Sequence, residues 1–165
     1  MMTYTFLGLV FICFGLSLAF NKKLRTREKM IETLLLYFLV FCVGFTGLMG
    51  FVGHVFRADE TAQSIGWAIG SPFQYEIGVA NLAFGILGIL CIWLRRSFWL
   101  ATAIGWSVFL FGAAYGHIRD MQLHQNFAVN NTGALLWVGD VAIPLVILIL
   151  TFIYINMNKK SDKCC

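Results

Sequence analysis

The stretch that decides the fold is residues 31–52, which read IETLLLYFLVFCVGFTGLMGFV and contain a single charged residue, Glu32. A helix needs about 20 consecutive apolar residues to cross the hydrocarbon core of a bilayer, and this stretch supplies them. A single helix also pairs its own backbone N–H and C=O groups, for which lipid offers no hydrogen-bond partner. We therefore predict a transmembrane helix here.

Four further apolar stretches of similar length flank this one, and the same argument predicts a helix in each. Hydrophobic residues make up 59% of the chain and charged residues 12%, whereas soluble domains average about half and about a quarter. Little sequence lies outside these stretches, so residues 1–165 are predicted to form a single transmembrane domain. The predicted fold class is all-α, a polytopic helix bundle with about five spans at residues 3–20, 31–52, 73–94, 98–117 and 134–156.

The basic residues predict the orientation of the bundle. Ten of the twelve fall on one side, which leaves Arg57 and Arg119 on the other. By the positive-inside rule, the N-terminus lies outside and the C-terminus in the cytoplasm. The formal net charge of +4 is then explained by contact with lipid headgroups, so the bilayer is the predicted partner and nucleic acid is not.

The termini and the cysteines add smaller predictions. The first apolar stretch lacks a basic region before it and an A-x-A-like cleavage site after it, so it is predicted to be a retained span. Cys13, Cys42 and Cys91 lie inside spans and form no disulfide framework. Cys164 and Cys165 follow lysines, and both acylation near the membrane and an inert tail remain open for them.

Small residues recur at helical spacing in three of the spans, and in lipid they allow helices to approach closely. A second small face on the third span, through Glu76, Ala80 and Ala83, makes that span our choice for the central helix. Glu76 is predicted in the protein interior, because a lipid-facing carboxylate would be unpaired. The fourth span adds Gly112 and Gly116 near its end. Packing alone explains these glycines, which in the second and third spans are Gly44, Gly47, Gly50, Gly78, Gly85 and Gly88.

Four polar residues from four different spans are the candidates for function. His54 closes the second span, Glu76 opens the third, His117 closes the fourth, and Asp140 lies inside the fifth. Because successive helices alternate in direction, all four are predicted in the outer half of the bilayer, with Asp140 roughly 10 Å deep. An ionisable group at that depth is a functional candidate by default. Pro144 adds to this, because it cannot donate to the Asp140 carbonyl.

The chemistry of these four residues leaves several readings open. Two imidazoles and two carboxylates suit a divalent transition metal, and they also suit a proton relay. A b-type haem on His54 and His117, with arginines for its propionates, is a third reading. Interhelical hydrogen bonding without further function is the fourth. The supporting polar residues are Asn81, Arg57, Asp59, Arg119 and Asp120.

Three segments carry a resemblance to a known family. Residues 54–59 (HVFRAD), 65–67 (IGW) and 70–76 (GSPFQYE) resemble a family of small bacterial integral membrane proteins catalogued as a domain of unknown function. The likeness to this family continues through Asn81, through His117 with its preceding glycine, and through residues 140–144. The sequence also resembles, more loosely, the four-helix DoxX group. The resemblance implies a bacterial inner-membrane protein, and it carries over no activity and no catalytic residue.

The predicted function follows from the polar residues. We expect a small membrane protein with a polar pocket on its extracytoplasmic side, which binds a metal ion or passes protons or a small substrate. One alternative is an accessory or assembly subunit of a membrane complex, whose buried polar residues are structural. Another is a haem- or quinone-linked membrane oxidoreductase. A homo-oligomer or a larger membrane complex is compatible with the glycine faces.

Overall fold

The computed structural model describes the backbone of residues 2–161 and the side chains of residues 4–158, and every regular element in those ranges is a helix. A short 3-10 turn at Lys22–Arg25 joins the first two helices. The helices are α1 Met2–Phe20, α2 Arg27–Phe56, α3 Ala58–Ile65, α4 Phe73–Leu90, α5 Ser97–His124, α6 Val129–Thr132 and α7 at residues 135–161.

Within the described residues, four helical stretches are long and apolar enough to cross a membrane. They are α2, α4, α5 and the stretch Val129–Asn158 that joins α6 to α7. Helix α1 is apolar over Tyr4–Phe20 but shorter. The all-α bundle is therefore confirmed, and its composition fits a membrane protein. That α1 forms a fifth span, and that the N-terminus lies outside, remain predictions.

The two ends of the bundle differ in charge. At one end, Glu32 near the start of α2 pairs with Lys29 at 2.7 Å and with Arg95 at 3.0 Å. The α1–α2 and α4–α5 connections, which carry five of the twelve basic residues, therefore meet at this end, which we call the basic end. Helix α3 lies at the opposite end of the bundle, and Arg57 and Arg119 lie at that end as well. We call this opposite end the α3 end.

Helices α2 and α4 touch backbone to backbone. A Cβ atom added at Gly47 would come within 2.6 Å of the Asn81 carbonyl oxygen and of the Gly85 nitrogen. At Gly85 it would come within 2.8 Å of the Leu48 nitrogen. The predicted glycine faces of the second and third spans are therefore confirmed as one shared contact, because only hydrogen side chains permit this separation.

Two packing predictions are wrong. Helix α4 is not the central helix, since its second small face is turned outward and leaves Glu76 and Ala83 exposed. The core instead surrounds the middle of α2, where Leu35, Leu39 and Val43 are fully buried. In α5, Gly112 and Gly116 have nothing within 4 Å of an added Cβ, so they do not mediate helix contacts within the described residues.

Helix α7 opens with wide π-helical turns at Leu135–Ala142. There the Ile143 N–H donates to the Val138 carbonyl, five residues back instead of four. The wide turns adjoin Pro144, which has no N–H for the Asp140 carbonyl and therefore breaks the regular pattern. On the α5 side, Ser107 Oγ donates to the Pro144 carbonyl at 3.3 Å. The irregular segment thus sets where Asp140 meets α5.

Candidate functional site

The structure brings two of the four candidate residues together. His117 on α5 and Asp140 on α7 are both buried, with 7% and 6% of their surfaces exposed. His117 Nε2 lies 3.9 Å from Asp140 Oδ2. Within the described part of the chain, the Asp140 carboxyl accepts no hydrogen bond, so His117 is the polar group that it faces.

Asn131 fixes which nitrogen of His117 carries the proton. The Asn131 Nδ2 group donates to the Asn126 carbonyl at 2.7 Å, which leaves Oδ1 to face His117 Nδ1, also at 2.7 Å. Because Oδ1 can only accept, Nδ1 must be the donor. In neutral His117, the Nε2 lone pair therefore points to Asp140.

This arrangement bears on how the pair can hold a proton. A lone pair that faces an ionised carboxylate is repulsive, and both groups are withdrawn from water. One added proton, on either Nε2 or Oδ2, makes the interaction attractive, and a closer approach from the present 3.9 Å would then form a hydrogen bond. The geometry therefore suits a pair that shares one proton.

Trp67 covers this pair from the α3 end. Its ring stacks on the His117 ring, with centroids 5.6 Å apart and planes 14° from parallel. Its Nε1 donates to Asp120 Oδ2 at 3.1 Å, and Asn126 Nδ2 donates to the same oxygen at 2.6 Å. The ring is thus held by one face and one edge, and it separates the buried pair from the surface.

The position of Trp67 depends on the glycine that precedes it. Gly66 ends α3 with φ of +80°, and the Trp67 N–H donates back to the Ala62 carbonyl at 2.9 Å. This is the common glycine cap at a helix C-terminus. An added Cβ at Gly66 would also come within 2.9 Å of Asn126 Nδ2. Gly66 therefore permits both the turn and the close approach of Asn126.

The other two candidate residues lie apart from this pair. His54 Nδ1 is 2.7 Å from Oε1 of the buried Gln74. Glu76 is exposed in the first turn of α4, so the prediction that it lies in the protein interior is wrong. A carboxylate in that turn is stabilised by the helix dipole and needs no buried partner.

The predicted metal and haem centres gain no support from this geometry. Among the described residues, no three His, Cys, Asp or Glu side chains are grouped so that they could hold a metal ion. Catalytic and structural zinc sites use at least three protein ligands. The haem reading needs the Nε2 atom of His117, which here faces Asp140. A four-residue metal site at His54, Glu76, His117 and Asp140 stays a prediction from the sequence.

The supporting residues have separate local roles. Arg57 forms an ion pair with Glu60 on the surface. Asp59 accepts a hydrogen bond from the Gly70 N–H at 3.1 Å, and Asn81 donates to the Ile77 carbonyl at 2.9 Å. Two more supporting residues line a cleft beside Trp67, namely Arg119 and Asp120.

The cleft has a volume of about 440 Å³ and opens at the α3 end. The segment before α4 and the first turn of α4 form one wall, and the last turns of α5 form the other. Its size falls within the range of small-molecule sites, about 300 to 1,000 Å³. The lining residues used below are Trp67, Phe73, Gln74, Arg119, Asp120 and His124.

Sequence reasoning missed the residues that orient the pair. Asn131 was visible within Asn130-Asn131-Thr132, a glycosylation-type triplet with little information of its own. Trp67 and Gln74 were noted only within the family-like segments 65–67 and 70–76. Those segments were the available signal that the loops, and not the spans alone, build the site.

The fold and the site define a class of protein, a helix bundle with apolar spans and a buried ionisable pair below a terminal cleft. Within that class, residues 1–160 match the model of a family described as Family of unknown function (DUF6790), and the chain belongs to this family. No curated protein and no solved structure matches the chain. The family is the kind that the sequence predicted, while the DoxX-like relation and the bacterial origin stay predictions.

Proposed function

We propose that this protein passes protons through its membrane, and that the His117–Asp140 pair is the group that takes up and releases the proton. The observation that carries the proposal is the hydrogen bond from His117 Nδ1 to Asn131, which leaves Nε2 to face Asp140 Oδ2 at 3.9 Å. Ionisable residues inside membrane helices, and His with Asp in particular, are typical of proton relays.

The interface between α5 and α7 supports a route beyond the pair. Three buried hydroxyl groups lie on these two helices on the way to the basic end, at Ser107, Thr102 and Thr151. Ser107 already bonds to the Pro144 carbonyl, one turn beyond Asp140. Hydroxyl groups both donate and accept, so they can assist proton transfer where water enters.

A proton-flux measurement tests the proposal. The purified protein is reconstituted in liposomes that contain a pH-sensitive dye, and a potassium gradient with valinomycin sets the membrane potential. We expect faster pH change than in empty liposomes, and loss of that increase in Asp140→Asn and in His117→Gln. Glu76→Gln is the matched control, since it makes the same carboxyl-to-amide change at an exposed position.

Two results would sink the proposal. Parent liposomes as tight to protons as empty ones would remove proton passage altogether. Undiminished flux in Asp140→Asn would remove the pair from the route. After the first result, the buried polar residues would be assigned to structure alone, as in the accessory-subunit alternative.

The proposal also assigns the α3 end to the extracytoplasmic side, on the basis of the ten-to-two split of basic residues. A cysteine introduced by Gln125→Cys should react with a membrane-impermeant maleimide in sealed cells. Cys164 and Cys165 should react after the cells are permeabilised and not before. The reverse pattern would invert the topology.

A further inference from the structure

The cleft at the α3 end combines one unpaired cation with apolar walls. Arg119 lines it, and no carboxylate among the described side chains lies within ion-pair distance of its guanidinium group. The other arginine at this end, Arg57, is paired with Glu60 outside the cleft. Arg119 is therefore the cation that remains available to a ligand.

The acidic residue of the cleft is already engaged. Asp120 accepts from Trp67 Nε1 and from Asn126 Nδ2 through one oxygen, and its other oxygen is 2.7 Å from His124 Nδ1. These contacts occupy both of its oxygens, and Asp120 forms no ion pair with the neighbouring Arg119. The Asp59 carboxylate, which is close in the chain to the other wall, is bonded to the Gly70 N–H. The cleft thus favours a negatively charged ligand.

Gln74 offers a second donor. It is 97% buried and lines the cleft, and its Oε1 is held by His54. Its Nε2 amide group forms no hydrogen bond within the described residues, so it is the part of the side chain left for a ligand. An amide N–H and a guanidinium group on facing walls suit an oxyanion.

The remaining walls are aromatic. Trp67 and Phe73 meet edge to face with ring centroids 5.7 Å apart, and both line the cleft. Trp67 cannot turn away freely, because His117 and Asp120 hold its face and its edge. A rigid aromatic surface beside an unpaired cation is complementary to a molecule with an apolar body and an anionic end.

We propose that this cleft binds an amphiphilic phosphate, with the phosphate oxygens on Arg119 and Gln74 and the apolar part against Trp67 and Phe73. Arginine matches the geometry of phosphate oxygens, and a phosphate carries enough acceptors for both donors. The ligand can come from an anionic lipid of the bilayer or from a free organic phosphate. The phosphate contacts use neither His117 nor Asp140, so phosphate binding can be tested separately from proton passage.

Binding to purified protein in zwitterionic nanodiscs separates the two sources. The probes are dihexanoyl phosphatidylglycerol for a lipid headgroup and phenyl phosphate for a free organic phosphate. Dihexanoyl phosphatidylcholine and benzyl alcohol are their counterparts without net negative charge. Titration calorimetry gives the affinities, and Trp67→Phe assigns any change in tryptophan fluorescence to the cleft.

We expect at least one anionic probe to bind more tightly than its counterpart, and Arg119→Gln to weaken it by about tenfold, the effect of one charge-assisted hydrogen bond. Arg57→Gln should leave the affinity within about twofold, since surface pairs contribute little. The phosphate that binds identifies the source, and binding of both supports the shared chemistry.

The proposal is overturned if neither anion binds more tightly than its counterpart, or if Arg119→Gln and Arg57→Gln weaken binding equally. Arg119 is exposed, so its replacement should leave the fold intact, and an unchanged unfolding transition checks this. Asp140→Asn should retain phosphate binding. Failure of proton passage and failure of this site are thereby distinguishable.

Discussion

The α2–α4 contact and the α5–α7 contact hold the same bundle together by different means. At the first, backbones meet through Gly47 and Gly85, with no space for a single methyl group. At the second, Ser107, His117 and Asp140 bring buried polar groups between the helices. Close packing tolerates little change of volume, while buried polar groups tolerate little loss of a partner.

We infer from this difference that the two contacts have different roles. A contact that depends on backbone approach has no titratable group and fixes the shape of the bundle. A contact that depends on hydrogen bonds has groups that can exchange a proton, and here it lies below the cleft. Substitutions in the two regions should therefore fail for different reasons, and the following experiments separate those reasons.

The largest effect is expected at the glycine contact. Gly47→Ala places a Cβ against backbone atoms of α4, which cannot move aside, so the free energy of unfolding should fall by about 3 kcal/mol. Gly112→Ala is the matched control, because an added Cβ there meets nothing within 4 Å. Unfolding in SDS, followed by circular dichroism, measures both. Equal stability of the two variants would mean that α2 and α4 are not in backbone contact.

The next effect is expected at Asn131, on the polar side of the comparison. Asn131→Leu leaves the His117 Nδ1–H and the Asn126 carbonyl without partners, which should cost about 2 kcal/mol of unfolding free energy. Asn130→Leu, one residue away, removes no hydrogen bond described here and should cost much less. A variant with His54→Gln and His124→Gln keeps His117 as its one histidine. Nitrogen NMR of this variant, with Asn131 unchanged, should show the proton on Nδ1. An Nδ1 atom that carries no proton would contradict this geometry.

The sequence predicted most of the α2–α4 contact. Helical spacing alone placed Gly44, Gly47 and Gly50 on one face and Gly85 and Gly88 on another, and these faces meet. What it could not predict is which face of α4 turns outward. Two small faces compete on that helix, and local pattern does not rank them, so the central position and the buried Glu76 were both predicted wrongly.

The sequence predicted the candidate site in part. Alternating helix direction put His117 and Asp140 at a common depth, and the structure pairs them. The π-helical turns before Pro144 shift the phase of α7, so a 3.6-residue period could not specify that contact. Trp67 and Asn131 reach His117 from the segments between the long helices, and Asn126 bonds to Asn131. The paths of these segments depend on tertiary contacts and on the positive φ of Gly66.

An effect of similar size is expected at Gly66, the glycine on the polar side that permits close approach. Gly66→Ala meets two penalties, a left-handed backbone and a collision with Asn126, and should lower the free energy of unfolding by about 2 kcal/mol. Gly70→Ala meets the first penalty alone, since its φ is +74° and the space around it is open. It should cost about 1 kcal/mol. Thermal unfolding of both variants isolates the contribution of Asn126. Equal losses of unfolding free energy would mean that the close approach of Asn126 to Gly66 contributes nothing to stability.

The smallest effect is expected at Glu76, which lies on the exposed face of α4. The structure gives its carboxylate a favourable position in the first helical turn and no buried partner among the described residues, so Glu76→Gln should lower the free energy of unfolding by about 0.5 kcal/mol. The same carboxyl-to-amide change at the buried Asp140 should cost more, because it disturbs the contact with His117. SDS unfolding at several protein concentrations measures both variants.

A loss above about 2 kcal/mol at Glu76 would be too large for an exposed helix terminus. Such a loss, growing with protein concentration, would mean that a second copy covers this face of α4. The predicted homo-oligomer would then use the surface that includes Ala80 and Ala83.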